Sequence, residues 1–395
     1  MLINNGGNKM AQTSVEPFKR VSNVHVNMVV VHPAPVVNLG NMLILHKQTA
    51  NTTQAGTGTG SSSTTPTTPG VKLSKEDIEN GILMSNTDTL SGSTYREYSS
   101  ASAVETDYDP GSDVAVKAES YFSQEHPSDR VAVLTYTDGK LPDALKAFWY
   151  NNWVFAIFAE KGMDDAQIAS NIFEANEDHI LIVQSENVQD GMLFKGQNYT
   201  KMYQTVDNEP IDAAIIGRVA SLPVGQNVWK FKQVNGITPQ HINTNQEEAL
   251  EKANVSAYIY VGGVPQMSSG TVGSGEYLDS IHGDIWIKDN IQGELQRTFQ
   301  SNDKIPYNQN GINLLLAQVN SVLAKAFSQG IIQQDDVTQK GIYSVTATPR
   351  SAQSQRDLSD RHYGGISFTY KRAGAIEDIT VNGIIQSDTI QQVLG

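Results

Sequence analysis

At 395 residues the chain is long enough for two or three domains with substantial cores, and 39% hydrophobic with 18% charged residues is a globular composition. A net charge of −14 and the lack of any basic run argue against a nucleic-acid partner, because such affinity rests on clustered Lys and Arg. The chain has no cysteine, which excludes disulfides and thiolate metal sites, and no apolar run approaches the roughly eighteen residues needed to insert across a membrane.

The first residues, Met1-Leu2-Ile3-Asn4-Asn5-Gly6-Gly7, lack the basic region and apolar stretch of a secretory signal, and Met10 is an alternative start. Residues 21–31 alternate: Val24, Val26, Met28 and Val30 point one way, Asn23, His25 and Asn27 the other. That pattern predicts a half-buried strand beginning near Val21 and closed by Pro33 and Pro35. Met42-Leu43-Ile44-Leu45 predicts a second, short strand. In residues 51–70 everything but Asn51, Gln54 and Ala55 is Thr, Ser, Gly or Pro, so the segment has nothing to form a core and reads as an insert.

From residue 95 to 260 strands and helices alternate. Ser112 caps a helix reaching Tyr121 and Phe122; helices are also predicted over 144–150, 164–176 and 211–220, and strands over 131–136, 153–159, 180–184 and 256–261. Such alternation implies an α/β layer with a largely buried sheet. Residues 275–332 then predict two helices. The first, 276–299, carries Leu278, Ile281, Ile285, Trp286, Ile291, Leu295 and Phe299 on a broad apolar face. The second places Ile312, Leu315, Leu316, Val319, Val322, Leu323, Ala326 and Phe327 on one stripe at helical spacing, with Asn310 as its cap and Gly330 as its stop. Pro306 breaks the path between them. Residues 333–360 read as polar and irregular. The end predicts a hairpin: Ile366, Phe368 and Tyr370 on one strand, a turn at Arg372-Ala373-Gly374-Ala375, and Ile379, Val381 and Ile385 on the other.

The expected fold class is α/β, mixed α+β: an α/β core with a helical platform, a C-terminal β-hairpin, and extended N- and C-terminal arm strands. The predicted divisions are an N-terminal lead over 1–20, an arm with the first strands over 21–47, a Thr/Gly/Ser-rich insert over 48–94, the α/β core over 95–265, and the platform with the hairpin and arm over 266–395.

Signals for chemistry are weak. Gly56-Thr57-Gly58-Thr59-Gly60 lacks the Lys-Ser/Thr ending of a phosphate loop and reads as linker. Gly273-Ser274-Gly275 reads as a turn before a helix. No two of the eight histidines sit at zinc-ligand spacing on a helix, His282 reads as a satisfied or surface residue, and Asp279 with Asp284 reads as a solvated face. There is no Gly-x-Ser-x-Gly elbow and no Cys nucleophile. Trp149, Trp153, Trp229 and Trp286 read as core. No catalytic residue, metal site or cofactor is expected.

Several stretches together carry a resemblance: Phe18-Lys19-Arg20-Val21-Ser22-Asn23-Val24-His25-Val26, Asn38-Leu39-Gly40-Asn41-Met42-Leu43-Ile44-Leu45, Tyr95-Arg96-Glu97-Tyr98-Ser99-Ser100 and Phe231-Lys232-Gln233-Val234-Asn235-Gly236-Ile237-Thr238. To these are added Gly275-Glu276-Tyr277-Leu278-Asp279, Asp284-Ile285-Trp286-Ile287-Lys288, Lys304-Ile305-Pro306-Tyr307 and Ala373-Gly374-Ala375-Ile376. Their order resembles the sheath-like proteins of contractile-tailed phages, over about 18–385. Residues 48–92 depart from that family pattern by length and Thr/Gly content.

The resemblance implies a non-enzymatic subunit of a contractile tail sheath, a homo-oligomer of stacked hexameric rings around a tail tube, with baseplate and tail terminator proteins as further partners. It implies a place in the virion, with assembly in the host cytoplasm, and contraction that drives the tube into the host envelope. It also implies arms that exchange strands between subunits, mapping here onto Val21, Asn23, Val24, Val26, Met28 and Val30 and onto Ile376, Ile379, Val381, Ile384 and Ile385. The platform would lie towards the tube, with Lys288, Arg297, Lys304 and Lys325 as tube-facing candidates. The competing expectation is a virion adhesin or tail-decorating module that displays the 48–94 insert.

Overall fold

The computed structural model describes residues 39–48 and 73–383. The strand β1 (Met42–Gln48) lies at the centre of the main sheet. Its first four side chains are all fully buried, Met42 and Ile44 in one core and Leu43 and Leu45 in the other. Successive strand residues point to opposite faces, so an unbroken apolar run is what a strand covered on both sides requires.

The chain continues through α1 (Lys75–Glu79), β2 (Ile82–Thr87), β3 (Thr94–Tyr98), α2 (Ala101–Val104), α3 (Asp113–Phe122), β4 (Val131–Thr137), α4 (Leu141–Phe148) and β5 (Phe155–Phe158). There follow α5 (Met163–Asn176), β6 (Ile180–Ser185), β7 (Thr200–Gln204), α6 (Ile211–Val219), α7 (Thr244–Ala253), β8 (Val255–Val261) and β9 (Val264–Met267). The strands form one sheet of order β2-β3-β4-β1-β5-β6-β7-β8-β9. Pairing is parallel from β4 through β8 and antiparallel at both margins. Helices α3 and α6 cover one face, while α4, α5 and α7 cover the other. Trp149, Trp153 and Trp229 are fully buried in these two cores.

The remaining elements are α8 (Leu278–Ser301), α9 (Gln309–Ser328), β10 (Tyr343–Ala347), α10 (Gln355–Ser359) and β11 (Ile366–Tyr370). A third core forms where Trp286, Ile287 and Ile291 of α8 meet Val319, Val322, Leu323 and Ala326 of α9. The first part of α8 belongs elsewhere: Leu278, Ile281 and Ile285 pack into the core beneath the main sheet. One helix thus joins the two halves of the molecule.

Several expectations change. The cap of α9 is Asn308, whose side chain accepts from the Gly311 N–H, rather than Asn310; Gly330 does close the helix with φ +83°. The C-terminal two-stranded sheet exists, but β11 pairs with β10, inside the stretch read as irregular, and residues 373–383 form no strand. The Arg372 turn is impossible because Arg372 bridges to Ile332 and the Ala373 N–H donates to the Ile331 carbonyl at 2.9 Å. Of the predicted insert, residues 73–94 hold α1, β2 and the start of β3; residues 51–70 and the strand at 21–31 lie outside the described residues.

Candidate assembly interface

The small sheet of β10 and β11 turns Tyr343, Val345, Ile366, Phe368 and Tyr370 towards the third core, while the alternate residues face solvent. Strand β10 lies against α9. Beside β11 runs a cleft of about 1620 Å³, floored by Ile285 and Ile291 of α8 and Leu315 and Val319 of α9. Its opposite wall comes from the α/β half, through Glu177 and Tyr199. This volume exceeds the roughly 300–1,000 Å³ typical of small-molecule pockets, and Ile366 to Tyr370 of β11 all line it. Strands β10 and β11 form a sheet of two, so among the described residues each has an outer edge without a strand partner.

Glu177 ends α5 in the left-handed conformation, φ 53°. Burial pushes its carboxyl up to about 7 against the attraction of Lys288, and Glu174 adds to the rise. The Lys288 ammonium donates to the Glu177 carbonyl at 3.2 Å. At the mouth of the cleft Arg372 donates to Asp284 through two nitrogens, one of them at 3.2 Å, and to Glu276 at 3.2 Å. The Tyr370 hydroxyl donates to the same Asp284 carboxylate at 2.5 Å. Asp284 is therefore a mostly covered joint rather than part of a solvated face, and burial pushes its carboxyl up despite those donors. His282 is buried and bonded to the Leu39 carbonyl at 2.8 Å.

The candidate residues separate. Lys288 is only 3% exposed and occupied within its own chain, so it presents no charge to a partner. Arg297, Lys304 and Lys325 are exposed; Arg297 pairs with Glu294, and Lys325 lies over the Trp286 ring at 6.0 Å. Ile376, Ile379 and Val381 are 88%, 78% and 81% exposed. Val21, Asn23, Val24, Val26, Met28, Val30, Ile384 and Ile385 lie outside the described residues. Among the described residues no three His, Cys, Asp or Glu side chains come together to hold a metal ion, and no helix is long and apolar enough to cross a membrane.

Sequence reasoning missed the Asp284–Arg372 joint, since nothing local marks two residues so far apart as partners. It also missed β10, although Tyr343, Val345 and Ala347 do alternate there with polar residues.

Residues 278–385, which hold the two helices, the small sheet and the start of the tail, match the family described as E217 tail sheath protein gp31-like, C-terminal domain. The matched residues are thus similar to the C-terminal domain of a tail sheath family. The similarity in fold extends further. The chain is similar to a protein in the anti-feeding prophage (AFP) baseplate, with a TM-score of 0.60 and 12% identity over 95% of this chain and 100% of that one. It is also similar to the AFP helical sheath in its contracted state, at TM-score 0.58 and 12% identity over 93% and 100%. A third similarity is to the PVC sheath complex of an extracellular contractile injection system, at TM-score 0.57 and 10% identity over 95% and 99%. No curated protein matches by sequence. The large mixed sheet with its appended platform thus shares the fold of these sheath and baseplate proteins, and the cleft beside β11 lies within the residues that match the tail sheath C-terminal domain.

Proposed function

We infer that the chain is a structural subunit of a contractile sheath, of the tail type, and that it works by polymerising rather than by catalysis. The observation that carries the assembly mode is the exposure of Ile376, Ile379 and Val381 on a segment without a strand partner among the described residues. Two residues apart, Ile379 and Val381 would share one face if the segment paired as a strand, and the outer edge of β11 with its cleft offers a sheet to cover it. A second copy supplies it: the C-terminal arm of one subunit, or the segment around Val24 and Val26 that the sequence predicts as a strand, adds to the small sheet of another. Each backbone hydrogen bond so gained contributes only about 1 kcal/mol, so one joint is moderate and a lattice of joints is strong. Arg297, Lys304 and Lys325 are the exposed cations of the platform that would face a tail tube.

Deleting residues 377–395 tests the arms. The truncated chain should fail to form sheaths by negative-stain microscopy while keeping its circular dichroism, and sheaths of normal length and yield would refute strand exchange. Charge reversal at Lys304 and Lys325 should weaken co-sedimentation with a tail tube; unchanged binding removes those two residues from the contact.

A further inference from the structure

Among residues 374–383 every side chain is exposed except that of Glu377. Its carboxylate is only 11% exposed, although Ile376 beside it is 88% exposed. An apolar residue left in water next to a covered acid inverts the usual partition, so something specific holds Glu377 down. That partner is Lys230, which lies next to the fully buried Trp229 and so has a fixed root. Its ammonium donates to the Glu377 carbonyl at 3.3 Å and lies 4.0 Å from the Glu377 carboxylate.

Upstream, Arg372 is held by two carboxylates and by the backbone bonds of Ala373 and Ile332. The tail therefore has two anchors of unequal strength, a multiply bonded one at Arg372 and a single-lysine one at Glu377. Between them lie Ala373, Gly374, Ala375 and Ile376, and a Cβ on Gly374 would meet nothing within 4 Å. Gly374 and Ala375, small and exposed between the two fixed points, can serve as a hinge.

We propose that Lys230 and Glu377 form a releasable catch on the C-terminal arm, closed in the uncontracted sheath and opened on contraction, with Gly374 and Ala375 as the hinge. The catch rests on the arm assignment made above. Asp279, in the first turn of α8, acts on Glu377 as a like charge, and burial pushes both carboxyls up. One lysine thus holds an acid that a neighbouring acid repels, which suits a contact made to open.

Because the chain has no cysteine, K230C/E377C offers a single site to a short bis-maleimide cross-linker. Cross-linked subunits should assemble into uncontracted sheaths that do not shorten in mild denaturant, whereas the same variant capped with N-ethylmaleimide should shorten. Cross-linked sheaths that shorten to the same extent overturn the catch. So does a cross-linked chain that fails to assemble when the capped chain assembles, because the catch would then be absent from the first lattice. E377Q provides an independent reading: its sheaths should contract severalfold faster, and an unchanged rate also overturns the catch. Loss of the arm assignment is recognised separately, by normal assembly of the 377–395 deletion.

Discussion

Asp284 on α8 and Arg372 at the exit of β11 are 88 residues apart in sequence and share a bidentate ion pair, to which Tyr370 adds a hydroxyl. The pair fixes where the C-terminal tail leaves the body. Charge-assisted hydrogen bonds to a mostly covered carboxylate contribute about 1.5–3 kcal/mol in favourable cases, reduced here because the arginine is 42% exposed. D284N should therefore lower unfolding stability by about 1–2 kcal/mol and speed amide exchange through residues 366–373. Exchange unchanged from the parent chain would show that the backbone bonds alone hold the tail.

Acid should weaken the platform through His282. Burial holds its imidazole down to about 4, opposed only by the hydrogen bond to Leu39. The unfolded chain takes up this proton near pH 6.5 and the folded chain does not, so the contribution is complete above pH 6.5 and is lost as pH falls towards 4. The expected loss is roughly 2 kcal/mol by pH 5. Urea unfolding of the parent chain and H282Q across pH 7.5 to 5 should differ in slope, the parent losing stability as pH falls and the variant depending less on pH over that range.

Two glycines in helices make opposite predictions. A Cβ on Gly217 of α6 would lie 2.2 Å from the Tyr121 carbonyl oxygen of α3, so G217A must push the two helices apart. Overpacking of this kind costs about 1–3 kcal/mol. Gly293 lies inside α8 with nothing within 4 Å of a built Cβ, so G293A should stabilise by about 0.5–1 kcal/mol. Thermal midpoints shifting in opposite directions would confirm both placements.

Lys117 of α3 and Asp212 of α6 form a buried pair at 2.6 Å, with side chains 5% and 1% exposed. Removing one partner leaves an isolated buried charge, and D212A should cost about 3–5 kcal/mol. Replacing both, as K117M/D212L, should recover most of that loss, because the desolvation of two charges disappears with them. Chemical denaturation of the three variants decides it; a double variant as unstable as D212A would contradict the pairing.

How legible the fold was depended on what each element buries. Strands β1, β4, β5 and β6 bury both faces and were visible as apolar runs, and α9 was visible from its single stripe. Strand β7 was not. It reads Thr-Lys-Met-Tyr-Gln, yet Lys201 is fully buried, donating to the Ser256 hydroxyl and to the Thr271 carbonyl at 2.5 Å, and burial lowers its ammonium to about 7. Only the neighbours supply the acceptors that make such a strand tolerable. Helix α7 did carry a signal: Asn243 and Gln246 form a capping box, readable as a polar cap followed three residues later by Gln.

The sequence by itself determined the α/β class, the helical pair and the apolar alternation of the last strand, because each follows from periodicity within one segment. Which strand β11 joins, where the tail leaves the body and that Lys288 is unavailable were decided only in three dimensions. Alternation states that a face must be buried but not by what, and a charge discloses nothing of a partner that lies a hundred residues away until the helices and the sheet have packed.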